Sequence, residues 1–166
     1  MGSRNKVVYT FEEGDGKNKK LLGGKGANLC EMTRIGLPVP PGFVISTEAC
    51  LSYLAQKKEG LQQDLMKQVR ESMTYLENKT GRGFGSAEQP LLVSVRSGAA
   101  MSMPGMMDTI LNLGLNGKTL PALIKMTRNE RFGYDAYRRF IQLFGSVALG
   151  MPDEEFVGLL VDGVFD

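Results

Sequence analysis

Two cationic residues in this sequence stand beside glycine-rich turns, a setting in which proteins hold phosphate groups. Lys25 lies within Gly23-Gly24-Lys25-Gly26, directly before a run with helical character. Arg96 follows the apolar run Leu91 to Val95 and precedes a loop rich in Gly, Ser and Met. Backbone N–H groups approach an anion closely where Cβ atoms are absent, and a helix N-terminus favours negative charge. A guanidinium binds phosphate with two parallel hydrogen bonds. The sequence therefore predicts phosphate binding at Lys25 and Arg96.

Neither motif is specific by itself. The GGKG turn lacks the GxxxxGK[ST] spacing of a Walker loop. A tight turn with a solvated Lys25 fits the same residues, as does a plain hairpin carrying Arg96 on its surface. The residues alone leave these interpretations open.

The composition is that of a globular protein of about one domain. Of its 166 residues, 42% are hydrophobic and 23% are charged. The net charge is only +2, with lysine and arginine spread along the chain, so we expect no nucleic-acid partner. No apolar run approaches the ~18 residues of a membrane span, so we expect no membrane association.

Cysteine and histidine usage further restrict the chemistry. Cys30 and Cys50 form no CxxC pair and are too few for a disulfide framework, which favours a reduced, intracellular protein. On these grounds we expect the cytoplasm. The sequence contains no histidine, so the commonest general base and the commonest metal ligand are both missing.

The remaining segments predict an α+β scaffold. The predicted strands are residues 6–11, 43–45 and 91–95, the last two buried, and the predicted helices are residues 27–35, 61–76, 119–126 and 129–149, with a further helix from Pro152. Gly36 is placed to end the first helix, and Ser46 or Thr47 to cap the helix after the second strand. The proline-rich connector 37–42 separates these elements.

Four segments together resemble the pyruvate, phosphate dikinase family. They are LLGGKGANLCEM, GLPVPPGFVISTEAC, VSVRSGAAMSMPGMMDTILNLGLN and RFGYDAYRRFIQLFG, in the family's order. The resemblance as a whole runs from about residue 7 to residue 150. The resemblance implies an ATP-grasp-like N-terminal subdomain with a mixed sheet, residues 1–116, followed by a small and incomplete helical subdomain, residues 117–166. After Pro152 the sequence departs from the family, whose terminal helix is more highly charged.

The resemblance also implies a reaction. The family interconverts ATP, phosphate and pyruvate with AMP, pyrophosphate and phosphoenolpyruvate, through a phosphohistidine on another domain. This chain would be an N-terminal ATP-binding fragment of such an enzyme, inactive alone because it has no histidine. The alternatives are a fragment of phosphoenolpyruvate synthase, which the run GAAMSMPGMMDT argues against, and a non-catalytic nucleotide-binding or docking module.

The same resemblance assigns roles to residues. Lys25 and Arg96 would be catalytic and would bind the ATP phosphates, together with Gly105 in the loop over the nucleotide. For Asp108, a place near a metal-bound phosphate and a helix N-cap or turn role fit the sequence equally, so it is not among the catalytic residues. Arg139 would help to dock the phosphohistidine domain. The Mg²⁺ ligands would lie outside this chain, and the full-length enzyme would be a homodimer. Because the family occurs in the cytoplasm, in plastids and in specialised organelles, the resemblance implies a plastid or another organelle as the alternative to the cytoplasm.

Overall fold

The structure is a computed structural model that describes residues 6–55, 61–97 and 109–152. Along these residues the elements are β1 (Val8–Thr10), α1 (Lys19–Arg34), β2 (Phe43–Ile45), α2 (Thr47–Ala55), α3 (Leu61–Thr80), β3 (Val93–Arg96), β4 (Thr109–Leu113), α4 (Leu120–Thr127), α5 (Glu130–Leu143) and a π-helical turn, Phe144–Ala148. The mixture of helices and small sheets confirms the predicted α and β composition.

The described residues divide into two compact units. The first ends at Gly81 and contains β1, β2 and helices α1 to α3. The second begins at Arg82 and contains β3, β4, α4 and α5. This division by compactness differs in place from the subdomain boundary expected at 116/117, which stays a prediction.

In the first unit, β1 and β2 form an antiparallel pair that supports helix α1. Tyr9 pairs with Val44 in this ladder. The buried residues Leu22, Ala27 and Cys30 of α1 form a core with Tyr9, Phe11, Leu21 and Val44. The sheet therefore fixes the helix that carries Lys25.

A second apolar cluster in the same unit confirms the predicted amphipathic helix. Leu65 and Val69, on α3, pack against the buried residues Val7, Val8 and Ala49. These contacts follow from the helical spacing of apolar residues in the sequence. The outer surface of α3 is largely polar and charged.

The ends of α1 and α2 carry the predicted capping residues. Ser46 Oγ accepts a hydrogen bond from the Ala49 N–H at 3.3 Å, so Ser46 caps α2. Gly36, which follows the C-cap residue Ile35 of α1, has a φ of 81°, the left-handed conformation typical of a helix C-terminus. Helix α1 begins at Lys19, before the predicted residue 27, and Asn18 caps this earlier start by accepting a hydrogen bond from the Leu21 N–H at 3.1 Å through Oδ1.

In the second unit, the strand predicted for residues 91–95 differs in position and burial. It is Val93–Arg96, it pairs antiparallel with β4, and Val95 is 46% exposed. Leu91 is buried but precedes the strand, because its N–H donates to the Gly83 carbonyl at 2.8 Å. The family resemblance implies a mixed sheet, whereas the described strands form two small antiparallel pairs.

Helices α4 and α5 occupy the two segments that the sequence predicts. Their core consists of Leu115, Leu120 and Ala136, with Phe140 packed against it. Asn129 caps α5 by accepting from the Phe132 N–H at 2.9 Å. The predicted helix beyond Pro152 lies outside the described residues. In the part of the chain that the structure describes, no helix is long and apolar enough to cross a membrane.

Candidate functional site

The turn around Lys25 is a break inside a helix. Gly23 has φ 68° and ψ 167°, which are non-helical angles that only glycine adopts readily. The first turn of α1, residues 19–22, therefore ends at Gly23, and a second helical segment starts with Gly24, Lys25 and Gly26. We call residues 23–26 the glycine–lysine turn. It confirms the prediction that glycines open a helix at Lys25.

The start of a helix favours anions, and this one is packed tightly against the sheet. A Cβ atom on Gly26 would lie 2.8 Å from Val44 Cγ1, so only glycine lets the helix approach β2 this closely. The first turn of the second segment carries backbone N–H groups and the positive end of the helix dipole. Lys25 adds a full positive charge, and it is partly buried.

A contact from α2 holds the segment before the break. Thr47 Oγ1 donates a hydrogen bond to the Lys20 carbonyl oxygen at 2.6 Å. The sequence suggested Thr47 only as an alternative cap of α2. No sequence signal marks this contact, because the two residues are 27 positions apart.

Arg96 lies in the second unit, where it is the last residue of β3. It pairs with Thr109 and is exposed to solvent. The sequence predicts that the chain leaves its strand at Arg96, and the described strand does end there. Lys25 and Arg96 thus belong to different compact units.

Gly105 and Asp108 lie outside the described residues, so their predicted roles stay predictions. Arg139 is exposed on α5, with 66% of its side chain accessible. Its Nε donates to Asp135 Oδ2 at 2.9 Å, and Arg138 Nη2 donates to the other oxygen of the same carboxylate at 3.1 Å. The hydrogen bond from Arg138 is the main reason why the pKa of Asp135 is lowered below its ordinary value.

A cleft of about 410 Å³ opens beside β1, away from Lys25. It is lined by charges of both signs, which come from Lys6 before β1, from Glu13 after it and from α3. Its polar groups already bind one another: Gln68 Oε1 accepts from the Val7 and Val8 N–H groups, and Lys6 pairs with Glu13 at 2.7 Å. These pairings indicate a structural role for the cleft, and we place the candidate site at the glycine–lysine turn.

Magnesium requires a group of oxygen ligands, chiefly carboxylates. Within residues 6–55, 61–97 and 109–152, no three acidic, cysteine or histidine side chains are grouped so that they could hold a metal ion. The described residues therefore do not fit a Mg²⁺ site. We derive no catalytic step through a metal from them.

The sequence matches known proteins over the same elements. Residues 19–77 match the family model described as "Pyruvate phosphate dikinase, AMP/ATP-binding domain". This span begins with α1 and includes the glycine–lysine turn, β2, α2 and most of α3. Lys25 and Thr47 both lie inside it.

Curated relatives extend the match over nearly the whole chain. Pyruvate, phosphate dikinase of Entamoeba histolytica is 64% identical over 149 residues, which is 90% of this chain and 17% of the relative. The enzyme of that name from Clostridium symbiosum is 53% identical over 151 residues, 91% of this chain and 17% of the relative. "Pyruvate, phosphate dikinase 1, chloroplastic" of Arabidopsis thaliana is 51% identical over 156 residues, 91% of this chain and 16% of the relative.

The chain thus spans about one sixth of the length of these relatives. The identities are high, and they cover both compact units. The residues that build the glycine–lysine turn lie inside the matched AMP/ATP-binding domain. This chain accordingly belongs to the pyruvate, phosphate dikinase family, as the counterpart of part of its AMP/ATP-binding domain.

Proposed function

We propose that this chain supplies one part of the ATP-binding site of a pyruvate, phosphate dikinase, and that Lys25 binds the ATP phosphates. One observation carries the proposal. The helix break at Gly23 places a new helix start and a lysine side by side, inside the span that matches an AMP/ATP-binding domain. A helix start and a cation together form a favourable setting for a polyphosphate.

In this proposal Arg96 is a second cation for the phosphates. Its exposed position at the end of β3 leaves the guanidinium accessible, and its planar fork suits phosphate oxygens. Gly105 follows Arg96 in the sequence and would let the backbone approach the nucleotide. The ATP-grasp-like architecture and the subdomains 1–116 and 117–166 belong to the same proposal.

The proposed reaction is the family's reversible conversion of ATP, phosphate and pyruvate to AMP, pyrophosphate and phosphoenolpyruvate. Phosphoryl transfer relies mainly on positioning and on neutralising the charge of the phosphate oxygens. Lys25 and Arg96 would supply positive charge. The phosphohistidine would come from another domain, because this sequence has no histidine. The Mg²⁺ ligands would come from residues other than those described.

Arg139 is proposed to help dock the phosphohistidine domain. It is exposed, and its Nε contacts Asp135, which also accepts from Arg138. A charged group on the partner domain would compete with these contacts, either for the Asp135 carboxylate or for one of the two arginines. A homodimeric full-length enzyme and a cytoplasmic location, with a plastid as the alternative, complete the proposal.

The test is an NMR titration of the 166-residue chain with the non-hydrolysable ATP analogue AMP-PNP and Mg²⁺. We expect saturable shifts of the Gly24 to Ala27 amides, with an affinity in the millimolar range because one part of a clamp binds weakly. Lys25→Ala should weaken binding by about tenfold or more, since a hydrogen bond to a charged group is lost.

Lys19→Ala is the matched control. It removes the same charge from an exposed lysine in the turn of α1 that precedes the break. This variant should bind AMP-PNP nearly as the parent chain does. Equal losses in both variants would show that net charge alone attracts the nucleotide, and unchanged amides at residues 24–27 would overturn the proposal.

A further inference from the structure

The geometry of the glycine–lysine turn depends on a hydroxyl from a neighbouring helix. Thr47 is the first residue of α2, and its Oγ1 donates to the Lys20 carbonyl oxygen at 2.6 Å. Lys20 stands three residues before the break at Gly23. The contact joins the helix segment before the break to an element that packs beside it.

The Lys20 carbonyl oxygen lacks its usual helical hydrogen bond. In an uninterrupted helix, the carbonyl of residue 20 accepts a hydrogen bond from the N–H of residue 24. The angles at Gly23 turn the next peptide away from the helical path, so this bond cannot keep its helical geometry. Carbonyls at a helix end take another donor, from a side chain or from water, and the Lys20 carbonyl lies where solvent also reaches it. Thr47 supplies such a donor.

The segment 44–47 therefore contacts α1 on both sides of the break. Thr47 binds Lys20 before the break, and Val44 packs closely at Gly26 after it. Ser46, between them, is fully buried and caps α2. A short, fixed stretch of chain thus holds the two helical segments in the arrangement that the glycine–lysine turn requires.

We infer that Thr47 is a positioning residue for the phosphate-binding turn. Its hydroxyl takes the place of the helical hydrogen bond to Lys20 and so keeps the helix interrupted at Gly23. The turn then presents the start of its second segment to the nucleotide phosphates. This inference rests on the proposed function, because it concerns the same site.

The test compares three variants of the 166-residue chain. Thr47→Val removes the hydroxyl and keeps the side-chain shape, and Thr47→Ser restores the donor. Thr33→Val is the matched control, since Thr33 Oγ1 also donates to a carbonyl of α1, that of Leu29, at 2.9 Å. Each variant is titrated with AMP-PNP and Mg²⁺ by following the amides of residues 24–27, and each is unfolded thermally.

We expect Thr47→Val to weaken AMP-PNP binding about three- to tenfold, the effect of losing one hydrogen bond. It should also shift the Gly24 to Gly26 amides before nucleotide is added. Thr47→Ser should bind as the parent chain does. Thr33→Val should keep both the affinity and the unliganded shifts of the turn, even if its unfolding temperature falls as much as that of Thr47→Val.

The outcomes separate this inference from the proposal beneath it. If the parent chain binds and Lys25→Ala weakens binding, but Thr47→Val binds normally, the positioning role is wrong and the phosphate site stands. If Thr47→Val and Thr33→Val lose equal affinity, the effect is general loss of stability, and the inference falls. If the parent chain shows no shifts at residues 24–27, the proposed function itself fails and removes the inference with it.

Discussion

At the scale of single residues, Gly23 interrupts α1 and so creates a second helix start beside Lys25. Its backbone angles, φ 68° and ψ 167°, lie in a region that is essentially reserved for glycine. We expect Gly23→Ala to lower the free energy of unfolding by about 1–3 kcal/mol, because a Cβ atom strains this conformation. Urea unfolding measures the change.

The control for this prediction is Gly117→Ala. Gly117 has no positive φ, and a Cβ atom added there would meet no other atom within 4 Å, so its substitution should be nearly neutral. If Gly23→Ala is equally neutral, the chain can rebuild a continuous helix at no cost. In that case the break would not be a property that the sequence enforces.

The ionisation of Glu13 makes the stability of the fold depend on pH. Its carboxylate pairs with Lys6 at 2.7 Å and accepts from the N–H and hydroxyl of Thr10. The hydrogen bond from Lys6 is the largest cause that lowers the pKa of Glu13 below its ordinary 4.5. A lowered pKa means that the ionised form stabilises the fold above pH 4.5, and that this contribution disappears as pH falls through the folded-state pKa.

We therefore expect Glu13→Gln to be less stable than the parent chain at pH 7, with the difference shrinking between about pH 5 and pH 3. Urea midpoints of the two proteins across this range give the result. The other carboxylates are present in both proteins and cancel in the comparison. A difference that stays constant or grows on acidification would contradict the assigned role of the ionised Glu13.

At the scale of elements, Gly133 is the contact point between α4 and α5. By helix propensity alone, glycine costs about 1 kcal/mol relative to alanine at an interior position. The structure explains why glycine is nevertheless present: a Cβ atom would overlap Ile124 Cγ1 of α4. Close helix packing therefore outweighs local propensity at this position.

We expect Gly133→Ala to destabilise the chain despite its better helix propensity, by about 1–3 kcal/mol from overpacking. A double-mutant cycle with Ile124→Ala isolates the contact. The added methyl should be tolerated once Ile124 is shortened, which gives a favourable coupling free energy. Additive effects would place the strain elsewhere.

Several helices could be predicted from the sequence because their signals are local. The apolar spacing of residues 61–76 predicts α3, and Ser46 and Asn129 stand where side-chain caps begin α2 and α5. These signals are local, so they can be recognised without a structure. The lysine of the glycine–lysine turn was also predictable, because glycines and a cation at a helix start are adjacent in the chain.

The features that escaped prediction depend on contacts distant in sequence. Val95 was expected to be buried, but burial depends on what covers the strand, and it is 46% exposed. Thr47 bonds a carbonyl 27 residues away, and Gly133 is explained only by Ile124 on another helix. Propensity and periodicity describe one element at a time, so they cannot report such partners.

At the scale of the whole molecule, we expect this chain to bind a nucleotide without accepting a phosphoryl group from it. The glycine–lysine turn, which we propose as the phosphate-binding part of the site, is built from residues that this chain contains. The sequence has no histidine, however, and therefore no group for the phosphohistidine step of the proposed reaction. We expect the chain to bind AMP-PNP weakly and to accept no phosphoryl group from ATP.

The measurement incubates the chain with Mg²⁺, pyruvate, phosphate and ATP that is radiolabelled in its phosphate groups. Acid-labile, alkali-stable label on the protein reports phosphohistidine, and a coupled assay reports phosphoenolpyruvate. The dikinase from Clostridium symbiosum serves as the positive control under the same conditions. We expect both signals from the control and neither from this chain, because it cannot form the phosphohistidine. Label or phosphoenolpyruvate above background would mean that another side chain carries the phosphoryl group. The expectation that this chain cannot accept a phosphoryl group because it lacks histidine would then be wrong.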